Sequence, residues 1–381
     1  MGVRSTNTTQ SFGSDFYRSG IEAADPYVPP PPPYVDDVFS IHLYDGSSST
    51  QPINNGIDLS GEGGLVWIKI RDAFDHNLLY DTERNETKQL ISNSSNSQTT
   101  ESRFSSFNSN GFTVTTNDNE INNSTYDYVS WSFRKQPGFF DIVTYTGNAT
   151  AGRTIAHNLG SVPGSIWVKR LNGTDNWTVY HRGMHGSSPE DYIMYLNTAD
   201  ERSDQDLWAD TAPTDSVFSV GDNVKVNGNN TNTYVAYLFA HDDQRFGENG
   251  DEAIIKCGSY VGDGDSGNSF GNHQDIGFEP QFLMIKNASR SNDPYTSWHM
   301  FDSARVVGYG RGTSFPNGYD NYLLANKNDD EASDGYVNFT PTGFSLTNSG
   351  FNINNLDDNY IYVAIRRPNK PKTIGTDVFN A

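Results

Sequence analysis

Gly164-Ser165-Ile166-Trp167-Val168-Lys169-Arg170 is an apolar run closed by a lysine, and versions of it stand at three places in the chain. Upstream it reads Gly64-Leu65-Val66-Trp67-Ile68-Lys69-Ile70, and downstream Gln281-Phe282-Leu283-Met284-Ile285-Lys286-Asn287. Each copy brings the same neighbours. Trp67 to Tyr80 and Trp167 to Tyr180 are both 13 residues apart, and Met284 to Phe301 is 17, the excess falling on Ser291-Asn292-Asp293-Pro294. A second column therefore aligns as Leu78-Leu79-Tyr80-Asp81, Thr178-Val179-Tyr180-His181 and His299-Met300-Phe301-Asp302.

A third column is Gly111-Phe112-Thr113-Val114, Val217-Phe218-Ser219-Val220 and Gly343-Phe344-Ser345-Leu346. The fourth closes each unit with Tyr128-Val129-Ser130-Trp131-Ser132-Phe133, Tyr234-Val235-Ala236-Tyr237-Leu238-Phe239 and Tyr360-Ile361-Tyr362-Val363-Ala364-Ile365. Each unit opens with Tyr44-Asp45-Gly46, Tyr145-Thr146-Gly147 or Tyr260-Val261-Gly262. The runs are short, rich in Val, Ile, Tyr, Phe and Trp, and bounded by Gly, Asn, Asp, Ser and Pro, which is strand-and-turn chemistry. Ile166-Trp167-Val168 is apolar on both pleat faces, so such a strand is to be covered on two sides.

These columns predict an all-β chain of three tandem β-sandwich, jelly-roll-like repeats behind an extended proline-rich N-terminal arm. The arm is 1–36, the repeats are 37–137, 138–250 and 251–371, and 372–381 resembles the start of a further repeat, since Thr376-Asp377-Val378-Phe379-Asn380 echoes Asp36-Asp37-Val38-Phe39-Ser40. A repeat spacing of about 101 to 126 residues is sandwich-sized, and each unit is expected to close its own core. Gln136-Pro137-Gly138 and the segment 242–250 read as hinges.

In the arm, Pro29, Pro30, Pro31, Pro32 and Pro33 favour an extended polyproline II rod, with Tyr27 and Tyr34 flanking it as anchors on a partner. The formal charge of −21 repels phosphate backbones and anionic surfaces, which argues against nucleic-acid binding. A run of eighteen apolar residues is absent, so membrane insertion is not expected. The sole cysteine, Cys257, lies in the strand-like run Ile254-Ile255-Lys256-Cys257 and reads as a buried, inert thiol.

The set Tyr145-Thr146-Gly147-Asn148, His157-Asn158-Leu159-Gly160, Val168-Lys169, Val179-Tyr180-His181-Arg182-Gly183, Asp210-Thr211-Ala212-Pro213-Thr214 and Tyr234-Val235-Ala236-Tyr237-Leu238-Phe239-Ala240 resembles a repeated, largely uncharacterised domain of bacteriophage virion proteins. Such domains are common in marine phages, cyanophages especially, in proteins called tail-fibre-like or structural. The resemblance covers about 37–380 and is strongest in the second unit. The first unit departs with Asp81-Thr82-Glu83-Arg84 in place of His181-Arg182-Gly183, and the third replaces tryptophan with Met284. Those departures argue against one chemical role for the columns. The resemblance implies a place in the virion and supplies no catalytic residues.

His181 and His157 read as hydrogen-bonding groups at a strand end and a turn, because Asp81 and Asp302 share the His181 column. The acidic loops Asp263-Gly264-Asp265-Ser266-Gly267-Asn268 and Asn328-Asp329-Asp330-Glu331 carry calcium-type oxygens but not the EF-hand order, so no metal or other cofactor is expected. Motifs for nucleophilic or metal-assisted hydrolysis are absent, and no catalytic residue is assigned. Candidate glycan contacts combine aromatic faces with hydrogen-bonding groups: Trp208 with Asp206 and Asp210, and Tyr309, Tyr319 and Tyr322 with Asn317 and Asp320. Trp67, Trp167, Trp177 and Trp298 recur with the columns and read as core.

The expected function is a non-enzymatic virion structural protein, a tail-fibre or receptor-binding component exposed on the particle exterior after assembly in the host cytoplasm. It would join other virion proteins through residues 1–36, meet bacterial surface glycans and form a homotrimer. The alternatives are a capsid decoration or head-fibre protein and a tail-associated polysaccharide hydrolase.

Overall fold

The computed structural model describes residues 31–370, except 116, 266–271, 292–294, 306–319, 335 and 347–351. Tyr27, Pro29, Pro30, Tyr309, Tyr319 and the closing segment 372–381 lie outside the described residues. The protein is all-β, and among the described residues two single-turn α-helices occur, Leu59–Glu62 and Val224–Asn227, each opened by a side-chain cap from Asp58 or Asn223.

Three six-stranded antiparallel sheets carry the columns. In the first, Phe39–Asp45 pairs with Asp127–Arg134, which pairs in turn with Gly64–Ile70, followed outward by Asn77–Asp81, Lys88–Ile91 and Thr99–Thr100. The second runs Phe140–Thr146, Thr233–Phe239, Ser165–Arg170, Thr178–His181, Tyr192–Tyr195 and Ser203–Asp204. The third runs Ile255–Val261, Asn359–Arg366, Pro280–Asn287, His299–Asp302, Asp320–Leu324 and Ala332–Asp334. The order is the same in each: opening strand, closing strand, lysine-bearing strand, then three more. A smaller sheet covers each, built around Gly111–Val114, Val217–Val220 or Gly343–Leu346.

One aromatic cluster recurs at the end of every large sheet. The opening and closing tyrosines are cross-strand partners and stack: Tyr44 on Tyr128 at 5.1 Å, Tyr145 on Tyr234 at 5.0 Å and Tyr260 on Tyr360 at 5.0 Å. Phe112, Phe218 or Phe344 of the small sheet meets the opening tyrosine edge-on at 6.2 to 6.4 Å. Each opening hydroxyl donates to a loop carbonyl, of Ile121, Val226 or Ile353. The glycine two residues on, Gly46, Gly147 or Gly262, lies so close to the backbone of Asn123, Gly228 or Asn355 that a Cβ has no room.

Both faces of the large sheets are buried. In the first module Val66, Ile68 and Ile70 face the small sheet with Ile53, Phe112 and Val114, and in the third Leu283 and Ile285 pack with Phe344 and Leu346. The opposite faces, bearing Leu65, Trp67, Trp131, Trp167, Phe239, Phe282 and Met284, meet in one core that all three modules share. Trp67 and Trp167 touch edge-to-face at 6.0 Å, Trp131 meets Phe282 at 6.2 Å, and Phe133 meets Phe239 at 5.8 Å.

The expectation that each unit closes a core of its own is therefore corrected. A small sheet covers one face, and the second face, apolar because of Trp67 and its counterparts, is removed from water only by the neighbouring modules. The described part of Pro32–Ala381 accordingly forms one compact unit. The presumed hinges are packed turns. Gly138 donates to the carbonyl of Leu159, Phe139 is fully buried, and Gln244–Phe246 pairs with Glu252–Ala253 while Arg245 reaches the carbonyl of Gly160 at 2.8 Å.

The lysines that end the third strand of each sheet lie inside the fold. Lys69, Lys169 and Lys286 project to the face of Trp67, Trp167 and Met284 and are fully buried. Each ammonium donates to the carbonyl of the next residue, Ile70 at 2.9 Å, Arg170 at 2.8 Å and Asn287 at 2.5 Å. Burial pushes their pKa values down, to about 8 for Lys69 and Lys169 and about 7 for Lys286.

Candidate functional site: the module junctions and a basic cleft

The residues flanking the second column join the modules in a closed ring. One residue past each lysine strand a carbonyl accepts from a neighbouring module: Leu171 from the N–H of Gln98, Ala288 from that of Arg202, and Arg71 from that of Glu331. The first module thus binds the second, the second the third, and the third the first. A second ring runs the other way from the aligned positions Asn77, Trp177 and Trp298. Their side chains donate to the carbonyls of Leu324, Ile91 and Tyr195.

At the far end of the same strands, two junctions are locked by a buried ion pair. Asp81 Oδ2 accepts from Tyr237 of the second module and from Arg84 Nε, both at 2.6 Å, and both ion-pair side chains are almost wholly buried. Asp302 Oδ2 accepts from Trp131 of the first module at 3.0 Å and from Arg305 Nε at 2.8 Å. Arg305 also lies 5.4 Å from the Trp131 ring centroid. In both cases the arginine follows the aspartate by three residues, and its own N–H also bonds that carboxylate.

The third junction breaks this pattern. His181 stands in the aspartate column, Met184 where the arginine would be, and Val363 where Tyr237 and Trp131 stand. His181 Nδ1 accepts from the Gly183 N–H at 3.0 Å, which leaves the proton on Nε2 to donate to the Tyr362 carbonyl at 3.0 Å. Burial holds its pKa down at about 3, so the ring is neutral. This is the strand-end hydrogen bonding read from the sequence, and His157 likewise accepts from the Leu159 N–H at 3.3 Å.

Beside this junction lies a cleft of about 650 Å³ between the second and third modules. Arg182, Arg202, Lys256, His185 and His241 line it, Tyr362 contributes to its wall, and among the described residues no carboxylate lines it. Arg202 donates to the Met184 carbonyl at 2.9 Å and lies 5.7 Å from the Tyr192 ring, on which His185 stacks at 4.7 Å. Lys256 has Asp242 at 3.5 Å. His241 Nδ1 accepts from the Cys257 N–H at 3.2 Å, and burial, followed by the Arg182 charge, lowers its pKa to about 4. Cys257 is buried, its Sγ faces the Ala240 carbonyl at 3.4 Å, and burial raises its pKa, so it remains an uncharged thiol. The cleft thus presents positive charge and N–H donors.

The glycan candidates fare unevenly. Trp208 is 2% exposed and packs edge-on against Tyr180 at 5.9 Å, so it belongs to the core, where its large ring area is best removed from water. Asp206 and Asp210 are exposed. Tyr322 is half-buried against Phe301 and Tyr336, at the edge of a pocket of about 310 Å³ that Phe74, Asp329 and Asp330 also line. Asp320 lies in the strand Asp320–Leu324, and Asn317 is outside the described residues.

Pro33 and Tyr34 are engaged by the chain itself. The Pro33 carbonyl accepts from the Gly247 N–H at 3.0 Å, and Lys370 Nζ lies 5.8 Å from the Tyr34 ring while pairing with Asp37 at 2.7 Å. In the acidic loops, Glu331 is taken by Arg71 and Arg305, and Asp263 accepts from Asn354. Among the described residues no group of His, Cys, Asp and Glu side chains is arranged to hold a metal ion.

Sequence reasoning missed both the ion-pair locks and the cleft. The signal for the locks was present in Asp81-Thr82-Glu83-Arg84 and Asp302-Ser303-Ala304-Arg305, an aspartate of the second column followed three residues later by arginine. Nothing comparable marks the cleft, whose residues come from five separate segments.

Fold and junctions together define an all-β protein of three interlocked sandwich modules closed into a ring. A family described as a domain of unknown function, DUF7483, matches residues 35–368, and the chain belongs to that family. The match spans all three modules. No curated protein and no solved structure matches the chain.

Proposed function

We propose that the protein is a non-enzymatic component of a bacteriophage virion, of tail-fibre or receptor-binding type, held to other virion proteins through residues 1–36 and facing bacterial surface glycans. The observation carrying this reading is where the recurring polar side chains go. Asp81, Asp302, His181 and the three column lysines all bond groups inside the body, which suits a rigid building part. The resemblance of the second module's motifs to phage structural domains adds the location.

A second reading, capsid decoration, draws on the ring closure. One chain already supplies three equivalent modules, so a rigid knob needs no further subunits, and the homotrimer belongs to the fibre reading alone. The deciding measurement is immunogold labelling and copy number in purified particles. A few copies at the tail support the fibre, hundreds over the head support decoration, and absence from particles removes both. Deleting residues 1–33 should leave a folded body that no longer enters particles.

A further inference from the structure

The second and third modules meet through a cleft whose counterpart between the first and second is filled by the protein's own carboxylates. In the filled junction Lys135 Nζ bonds Glu83 at 2.5 Å and has Asp141 at 3.7 Å. Strand register fixes the counterparts. Phe140 pairs with Phe239 as Ile255 pairs with Ile365, so Lys256 stands where Asp141 stands. Asp81 aligns with His181, so Gly183 stands where Glu83 stands, and His241 follows Phe239 by two residues as Lys135 follows Phe133. One carboxylate has become a cation, and the other has lost its side chain altogether.

What remains is an excess of donors. The cleft holds Arg182, Arg202 and Lys256, in a chain of formal charge −21; among the described residues no carboxylate lines it, and Asp242 reaches Lys256 at 3.5 Å from outside the lining. His241 adds a further donor. Its Nδ1 accepts from the Cys257 N–H, so the neutral ring carries its proton on Nε2, which faces the Arg182 guanidinium. Both groups therefore offer N–H donors to the same cleft.

We propose that this cleft binds an oxyanion, a carboxylate, phosphate or sulfate group of a small ligand, which takes the place that Glu83 and Asp141 fill at the first junction. Arg182 and Lys256 pair with its charge, the His241 Nε2–H donates to it, and the missing side chain at Gly183 leaves it room. The volume of about 650 Å³ admits an acidic sugar as readily as a free inorganic anion.

Isothermal titration of the full chain with inorganic phosphate, D-glucuronate and uncharged D-glucose tests this. One-site binding of at least one anion, and none of glucose, is expected. Arg182→Ala and Lys256→Asp, each checked for an unchanged melt, should weaken it tenfold or more, while Lys88→Ala on a distant strand should match the parent chain. Tighter glucuronate assigns a sugar-borne anion, and tighter phosphate a phosphate group. No saturation by either anion up to about 20 mM, or unchanged binding in either cleft variant, overturns the proposal. The outcome is independent of where the protein sits on a particle.

Discussion

The hydroxyl of Tyr237 in the second module donates to Asp81 in the first at 2.6 Å, and Arg84 reaches the same carboxylate oxygen at the same distance. A charge held by a partner across a module boundary makes folding of one module depend on the next. Arg84→Met, which copies the second module's Met184, leaves the Asp81 carboxylate buried without its counter-ion and should cost about 3 to 5 kcal/mol in urea unfolding. Asp81→Leu combined with Arg84→Met should recover much of that loss. Tyr237→Phe should cost about 1.5 to 3 kcal/mol, the range for a hydrogen bond to a charged group.

Trp67 and Trp167 carry the same coupling in apolar form, with ring centroids 6.0 Å apart in the shared core. Trp167→Ala should destabilise the whole body by about 3 to 5 kcal/mol. With Trp67→Ala added, the losses should depart from additivity by about 0.5 to 3 kcal/mol, because each ring forms part of the other's surroundings. Strictly additive values, or separate unfolding transitions for the modules, would contradict a common core.

How much of this was legible follows from what each residue answers to. The stacked pairs Tyr44 with Tyr128, Tyr145 with Tyr234 and Tyr260 with Tyr360 were visible as columns, because local pairing keeps their spacing. The double burial of Ile166-Trp167-Val168 was visible too, as apolarity on both pleat faces. What covers the second face was not, since Trp67 would look the same packed within its own module or against Trp167. The burial of Trp208 was also hidden, for its neighbour Tyr180 lies on a strand distant in sequence. The cleft is a difference between copies, Gly183 for Glu83 and Lys256 for Asp141, and a difference acquires meaning only once register shows which positions face each other.

His181 makes the protein sensitive to acid. Burial, more than the nearby His241 and Arg182, lowers its pKa from 6.5 to about 3. Between those values the unfolded chain binds a proton that the folded chain refuses, so stability rises with pH through this window and is lost as pH falls. The contribution approaches about 1.4 kcal/mol per pH unit in the middle of the window. His181→Gln should flatten the dependence between pH 6 and 4 by about that slope, read from urea midpoints at each pH. His299, lowered to about 4 by the same cause, leaves a residual slope in both proteins.

Lys286 should act at the other end of the scale. Its ammonium is fully buried among carbonyl acceptors, and burial outweighs the attraction of Asp200 and Glu201, which brings the pKa from 10.5 to about 7. Between about pH 7 and 10.5 the unfolded lysine holds a proton that the folded one releases, so stability rises with pH across that window. Lys69 and Lys169, lowered to about 8, act in the same sense, and the buried tyrosines oppose it only above about pH 10, where unfolded phenols ionise. Lys286→Met keeps those common contributions and loses its own. The variant should therefore exceed the parent chain in stability near pH 7, and the gap should narrow steadily towards pH 9.5. A gap that stays constant over that range would mean the folded lysine holds its proton as firmly as the unfolded one, in which case burial does not govern its charge.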